Sequence, residues 1–293
     1  MKDSRKNGRY LSDHHVKAYK NGVFAKLLRG IVEDPELSFE VRRNDEAMVY
    51  YHKDKILTTC FDKTGHPCVK LLDGKYYKDA KKPSVDISVI DNLRSLSLIR
   101  KYFKEAKWLV YRYKWGEEFS IQQNIALGNQ SFSNKYLVVD MEWQFAQSDI
   151  PERERIKKTR IDLVIVDTEK NSEGYNDIYL AEVKCGTDAT EGKSGVKAHV
   201  EYTNSVINKP EACQALVEDV KSIIFAKNKL QLIKGEYKEF NLAPKPKMML
   251  IFAYRGEAED KKLAQQIKMA KKMAKVLGMD EPVCFMHNAL ITL

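Results

Sequence analysis

The sequence of 293 residues lacks any long apolar run. No stretch approaches the roughly 18 consecutive apolar residues that cross a bilayer, although 43% of the residues are hydrophobic. A chain of this length and composition is expected to form a soluble globular protein with one large core or two smaller ones. We therefore expect no membrane partner.

Cysteine is also scarce, with five residues in the whole chain. The first residues, MKDSRKNGRY, are charged, and no apolar stretch of a secretory signal follows them. We therefore expect reduced thiols in a cytoplasmic protein rather than a disulfide framework. Cys60, His66 and Cys68 lie close together in CFDKTGHPC, but no second ligand pair at comparable spacing follows, so the segment predicts thiols near a turn rather than structural zinc.

Several functional classes lack their sequence patterns. There is no GxxxxGK[ST] motif, which excludes a P-loop ATP-driven motor, and there are no repeats or low-complexity tracts. The charge is unbalanced, with 50 Lys and Arg against 41 Asp and Glu and a net charge of +9. This excess favours a polyanionic partner, and nucleic acid is the leading candidate.

The first 80 residues predict a small β-rich region. A short helix is expected within HHVKAYKNGVFAKLLRGIV, and the following segments alternate β-branched or aromatic residues with charge, as in an antiparallel meander. The polar, proline-containing stretch KDAKKPSVDISVID is the best candidate for a linker. We therefore predict an N-terminal domain over residues 1–80, of unknown role, and a second domain over residues 92–293.

The second domain predicts an α/β fold. Apolar residues recur at helical spacing from Asn92, and WGEEFSIQQNIALGN continues as a helix that ends near Gly128. Three strand-like runs follow, KYLVVDMEWQF, RIDLVIVD and IYLAEVKC, and then a helix, a strand, a helix and a last strand. Such an order suits a mixed sheet in which a meander is extended by crossover strands and flanked by helices.

Charged residues interrupt two of these apolar strands. Because strand side chains alternate, Glu182 and Lys184 share a face with Leu180, and Asp162 points away from the face of Ile161. If the two strands are neighbours, Asp162 faces Glu182 and Lys184. Two buried carboxylates side by side are unfavourable unless a cation lies between them, and hard carboxylate oxygens suit Mg²⁺ or Mn²⁺.

These residues resemble a known nuclease family. Asp162, followed after a hairpin by Glu182-Val183-Lys184, is similar to the Asp and Glu-x-Lys motif of the PD-(D/E)XK superfamily, and the element order of residues 92–293 resembles its restriction-endonuclease-like core. The resemblance implies that Asp162, Glu182 and the carbonyl of Val183 bind the metal and that Lys184 is the catalytic lysine. Arg160-Ile161 precedes the Asp where the family often has Pro.

The superfamily often adds an acidic residue, for which there are two candidates. The first is Glu117 or Glu118 on the preceding helix, where Glu118 shares a face with Gln122 one turn later. The second is Glu142, which shares a strand face with Asp140 and Gln144. We favour Glu142 slightly and place Asp140 further from the centre.

Gln122 and three further residues are candidates for phosphate or nucleic-acid contacts. Lys193 and His199 lie in the polar segment after the lysine, which otherwise predicts a flexible connection. Gln214 lies on the next helix, where a glutamine that simply faces solvent would explain the residue as well as a nucleic-acid contact would. The lysines of the last helix form either a solvated face or a phosphate-binding stripe, and these are Lys268, Lys271, Lys272 and Lys275.

Two functions remain open on the sequence. The first is a Mg²⁺- or Mn²⁺-dependent nuclease, a hydrolase that cleaves nucleic acid, with DNA preferred, in restriction, repair or phage defence. The second is a non-catalytic nucleic-acid-binding or assembly protein that keeps the fold. A pair of buried carboxylates favours the enzyme, because a scaffold would gain stability by losing them. Double-strand cleavage needs two sites, so a homodimer would be expected in that case.

Overall fold

The computed structural model describes residues 8–52, 54–77, 80–113, 117–145, 160–186, 195–254 and 260–288. The chain forms two compact units. Unit 1 comprises Met1–Gln123 and Lys221–Ile233, and unit 2 comprises Asn124–Val220 and Lys234–Leu293. The interval between residues 80 and 92, where the sequence predicts a domain boundary, lies inside unit 1. No helix in these described ranges is long and apolar enough to cross a membrane.

Unit 1 contains the predicted antiparallel meander. Its four strands pair in chain order, and they are β1 (Ser38–Arg42), β2 (Glu46–Tyr51), β3 (Asp54–Phe61) and β4 (Pro67–Leu71). The β1–β2 turn places Asn44 and Asp45 at φ values of 60° and 56°, a left-handed conformation that Asn and Asp adopt more readily than other side chains. These residue types therefore explain the position of the hairpin.

The helices of unit 1 are built on amphipathic patterns. The single helix expected near the N-terminus is two helices separated by residues 22–24. The helices of this unit are α1 (Asp13–Asn21), α2 (Ala25–Val32), α3 (Leu96–Tyr113) and the first part of α4 (Glu117–Gly128). Short 3₁₀ turns cover Gly74–Tyr77 and Ile90–Arg94. Helix α3 buries one continuous face, which consists of Ile99, Tyr102, Phe103, Ala106, Leu109 and Val110.

A later stretch of the chain completes unit 1. Residues 221–233 include the last part of helix α6 (Pro210–Lys229). There, Nζ of Lys227 lies 3.0 Å from Oε2 of Glu40 on β1, and both side chains are almost completely buried. A charged pair inside the unit thus joins two segments that are far apart in sequence.

Unit 2 has the mixed α/β architecture that the sequence predicts. Its sheet has the order β5 (Tyr136–Trp143), β6 (Ile161–Lys170), β7 (Asn176–Cys185), β8 (Lys247–Tyr254) and β9 (Val283–Asn288). Strands β5, β6 and β7 are antiparallel, whereas β8 and β9 join in parallel. Parallel neighbours require crossover connections, and here these contain α5 (Val196–Ile207) and α6 before β8, and α7 (Asp260–Val276) before β9.

One face of this sheet is covered by α5 and α7. Met248, Leu250 and Phe252 of β8 pack in one core cluster with apolar residues of the two helices, among them Val196, Val200, Leu263, Ala270 and Ala274. Glu182 pairs with Leu250 and Lys184 with Phe252 across the parallel ladder. The two charged residues of β7 therefore point to the same helix-covered face.

Candidate active site on strands β6 and β7

Two carboxylates lie side by side on neighbouring strands of unit 2. Leu163 of β6 pairs with Ala181 of β7, so the adjacent residues Asp162 and Glu182 lie across from each other on one face. Their relative exposures are 7% and 5%. Oδ2 of Asp162 accepts a hydrogen bond of 3.0 Å from the backbone N–H of Val183. The structure therefore brings the two predicted acidic residues together.

Lys184 completes the predicted trio. Its side chain is buried, and its Nζ donates a 2.6 Å hydrogen bond to Oε1 of Glu182, two residues earlier on the same strand. Residues i and i+2 of a strand point to the same face, so this pairing follows from the alternation alone. An ammonium group is thereby held next to the carboxylate pair.

His199 approaches the same carboxylate from helix α5. Its Nδ1 lies 2.9 Å from Oε2 of Glu182, and the histidine side chain is 13% exposed. The two atoms are close but not aligned as a hydrogen bond, and each lacks a hydrogen-bond partner within the described ranges. The sequence predicts His199 as a phosphate contact, whereas the structure places it against an acidic residue of the site.

Burial and charge change the protonation of Glu182. Desolvation is the largest effect and raises the pKa of this carboxyl, and the negative charge of Asp162 raises it further. His199 and Lys184 act in the opposite direction, but the net pKa remains above the ordinary value. The ionised form of Glu182 is therefore unfavourable in the protein alone.

The donor set fits a hard divalent cation. Oε2 of Glu182 is buried without a hydrogen-bond partner in the part of the chain described, and a carboxylate of the opposite strand lies next to it. Mg²⁺ typically takes one or two protein carboxylates and completes its coordination with water and phosphate oxygens. Among the described residues no group of three or more His, Cys, Asp or Glu is arranged to hold a metal ion. Asp162 and Glu182 are thus the ligands that this region offers, and a role for the Val183 carbonyl stays a prediction.

Glu142 lies opposite Asp162 on the other neighbouring strand. Its neighbours Met141 and Trp143 pair with Leu163 and Ile161. The φ angle of Glu142 is 59°, which is unusual for a non-glycine residue in a strand and changes the direction of its side chain. Its Oε2 accepts a 2.6 Å hydrogen bond from Nη1 of Arg160.

Two other candidate acidic residues have different positions. Asp140 is 1% exposed and pairs with Val164, further along the strand from Asp162. Glu118 is half-buried on α4, in the part of that helix that belongs to unit 1, whereas Asp162 and Glu182 belong to unit 2. The side chain of Glu117 is outside the described set. Which acidic residue assists the carboxylate pair stays a prediction.

The glutamines expected to contact nucleic acid differ in exposure. Gln122 of α4 is 1% exposed, and its amide oxygen and nitrogen have no hydrogen-bond partner among the residues described. Gln214 is exposed on α6 and donates a 2.8 Å hydrogen bond to Glu218 one turn later. This arrangement agrees with the alternative that Gln214 is a surface residue. Lys193 lies outside the described residues.

The lysines of the last helix have the character of a solvated face. Lys268, Lys272 and Lys275 of α7 are exposed, and Lys271 forms an ion pair with Glu281. This pattern is what a surface helix of a basic protein shows. A phosphate-binding role for these lysines stays a prediction.

A buried contact beside Glu142 was not predicted from the sequence. Trp143 is 1% exposed, and its Nε1 donates a 2.9 Å hydrogen bond to Oδ2 of Asp219 on α6. The only sequence signal for this contact is Asp219 itself, an acidic residue within the apolar stripe of α6. The contact fixes the strand position next to Glu142.

Comparison of the chain with protein-family models, with curated proteins and with solved structures gave no match.

Proposed function

We propose that this protein is a metal-dependent nuclease of the PD-(D/E)XK type that hydrolyses phosphodiester bonds in nucleic acid. The observation that supports the proposal most is the environment of Glu182. One of its oxygens is buried and lies 2.9 Å from Nδ1 of His199, but it accepts no aligned hydrogen bond within the described ranges, and Asp162 lies opposite Glu182 on the neighbouring strand. A cation that binds both carboxylates would remove this unfavourable arrangement.

Asp162 and Glu182 are the residues that would hold Mg²⁺ or Mn²⁺, and Glu142 is the favoured third acidic residue. When bound, the cation supplies a Lewis acid that polarises phosphate oxygens and lowers the pKa of water. The chain supplies the acidic oxygens in a fixed position, since Asp162 is held by the N–H of Val183. This hydrogen bond orients the Asp162 carboxylate toward the site.

Lys184 is the residue that we assign to the chemical step. In hydrolysis, a water oxygen bonds to phosphorus and gives up one proton, the bond from phosphorus to the leaving sugar oxygen breaks, and that oxygen gains a proton. The ammonium group of Lys184 would orient the water and stabilise the negative charge that develops on the phosphate. His199, 2.9 Å from Glu182, would position that carboxylate. Lys184 is thus the catalytic residue and His199 a positioning residue.

The sheet of unit 2 supports the same proposal. An antiparallel meander followed by two parallel crossover strands, with helices between them, is the order expected of a restriction-endonuclease-like core. Asp162 and the Glu-x-Lys segment lie on its second and third strands. DNA is the preferred substrate, and a homodimer would supply the two sites that double-strand cleavage requires.

A second candidate function is favoured by the ion pairs themselves. Lys184 and His199 both approach Glu182, so the group also forms a charged cluster that needs no metal ion. In that case the protein would be a non-catalytic nucleic-acid-binding or assembly protein. Metal-dependent cleavage separates the two functions.

The test is incubation of the full chain with labelled single- and double-stranded DNA and RNA in Mg²⁺, Mn²⁺ or EDTA. We expect cleavage with either metal and none in EDTA. Glu182→Gln should abolish cleavage, while Glu218→Gln, a change at an exposed glutamate of the same unit, should not. Cleavage that survives Glu182→Gln, or none with any substrate and metal, would contradict the nuclease proposal.

A further inference from the structure

The exposed face of helix α3 in unit 1 combines aromatic rings with positive charge. Trp108 and Tyr111 are 54% and 48% exposed, although the opposite face of the same helix is fully buried. We use the name α3 surface for the exposed residues Lys101, Lys104, Trp108, Tyr111 and Arg112. Their spacings of three and four residues place them on one side of the helix.

The exposed charges of the α3 surface are of one sign. Its five exposed residues include three cations and no acidic residue, and in the described part of the chain none of the three forms an ion pair with a carboxylate. Glu105 lies on the same side of the helix, but it is half-buried, and its carboxylate accepts hydrogen bonds from the backbone N–H and the hydroxyl of Ser84. The guanidinium of Arg112 lies 5.4 Å from the ring centroid of Trp108. Cations without acidic partners next to exposed rings suit a polyanion that also presents flat apolar groups.

We propose that the α3 surface binds single-stranded nucleic acid. Unpaired bases would stack on Trp108 and Tyr111, and the backbone phosphates would lie along Lys101, Lys104 and Arg112. A duplex hides its base faces within its own stack, so two exposed rings favour a single strand. Lys101 and Arg112 are separated by about 16 Å along the helix axis, a length that covers several nucleotides.

This inference extends the proposed function, because unit 1 would bind an unpaired segment of the nucleic acid that the nuclease cleaves. It does not depend on the metal site. Binding can therefore be measured in EDTA, where no metal-dependent cleavage takes place. Failure of the nuclease proposal leaves this binding measurable, and failure of the binding leaves cleavage measurable.

The test measures fluorescence anisotropy of labelled oligothymidylate, oligouridylate and a mixed-sequence DNA duplex with the full chain in EDTA. Trp108→Ala should raise the Kd for the single strands by roughly five- to a hundredfold, the effect of losing one stacked base. Trp108→Phe should restore much of the affinity, and duplex binding should not change. The matched control is Phe225→Ala, because Phe225 is 49% exposed in the same unit with Lys229 over its ring.

The lysines provide a second, independent measurement. Lys101→Ala and Lys104→Ala should each reduce the slope of log affinity against log salt by about 0.7, the value for one phosphate contact on a single strand. Single-strand binding unchanged by Trp108→Ala, or an equal loss for the single strands and the duplex, would overturn the proposal. So would a change in sedimentation of Trp108→Ala from dimer to monomer, which would make the α3 surface a contact between two copies of the chain.

Discussion

The ammonium nitrogen of Lys184 lies 2.6 Å from one oxygen of Glu182, while the other oxygen of the same carboxylate has no hydrogen-bond partner among the described residues. The first oxygen is neutralised by Lys184, whereas the second lies 2.9 Å from Nδ1 of His199 without an aligned hydrogen bond, and Asp162 lies across from Glu182 on β6. Such an asymmetric environment suits a group that binds a cation through its remaining oxygen.

Lys184→Ala should remove cleavage and keep much of the metal binding. The lysine is cationic, so it contributes charge stabilisation rather than a ligand, and its loss should lower the rate by roughly 10²- to 10⁴-fold. Single-turnover cleavage measures the rate, and the Mg²⁺-dependent rise in melting temperature measures metal binding. Lys247→Ala is the control, because Lys247 forms a 2.7 Å ion pair with Asp177 elsewhere in the same sheet. A wild-type rate in Lys184→Ala would remove Lys184 from the mechanism.

Asp162→Asn should abolish the rise in melting temperature that Mg²⁺ produces. The amide oxygen can still accept the hydrogen bond from the N–H of Val183, so this change removes the charge and keeps that contact. In EDTA the variant should melt no lower than wild type, because repulsion with Glu182 is relieved. Asp167→Asn, on the same strand, should retain the response to Mg²⁺. A full Mg²⁺ response in Asp162→Asn would show that Asp162 is not a ligand.

Glu182 should make the metal-free protein less stable as the pH rises. Its pKa in the folded protein is raised above the ordinary 4.5, so the folded state keeps the proton to higher pH than the unfolded state does. Protonated Glu182 contributes fully to the stability of the folded protein below pH 4.5, and this contribution is lost as the pH rises through the pKa that Glu182 has in the folded state. Urea unfolding of wild type and Glu182→Gln in EDTA measures it. The free energy of unfolding of wild type minus that of Glu182→Gln should decrease as the pH rises above 4.5. An increase would contradict the expected sign.

Lys227→Met should destabilise unit 1. The change leaves the buried carboxylate of Glu40 without its closest cation, a loss that costs about 3–5 kcal/mol in other buried pairs. Arg42 remains 4.0 Å away, so we expect the lower end of that range. Chemical denaturation gives the free energy of unfolding. Lys229→Met, at a side chain that is 41% exposed, should change it by less than about 0.5 kcal/mol, and equal effects of the two changes would contradict a specific role for Lys227.

Strand alternation was sufficient to predict which charged side chains of β6 and β7 lie together. Asp162, Glu182 and Lys184 share a face because their positions in the strands have the same parity, and pairing of consecutive strands then brings them together. The mixed sheet followed from the same local patterns. The structure confirms the α/β class, while the nuclease core remains a proposal.

Features that depend on distant contacts were not predictable. The approach of His199 to Glu182 depends on how α5 lies on the sheet, and the left-handed φ of Glu142 has no local sequence pattern such as glycine. The pair of Glu40 and Lys227 joins positions 187 residues apart. Periodicity describes one element at a time, so it contains no information on such contacts.

The discontinuous course of unit 1 has a consequence for synthesis of the chain. Domains generally fold as units while the ribosome is still adding residues, but unit 1 includes Lys221–Ile233, which follow most of unit 2. Glu40 is translated early and Lys227 much later. The buried ion pair between them therefore cannot form in unit 1 before much of unit 2 has been translated. A fragment that ends at Gln123 would lack that partner permanently, and the two units are therefore better expressed as one polypeptide than as separate pieces.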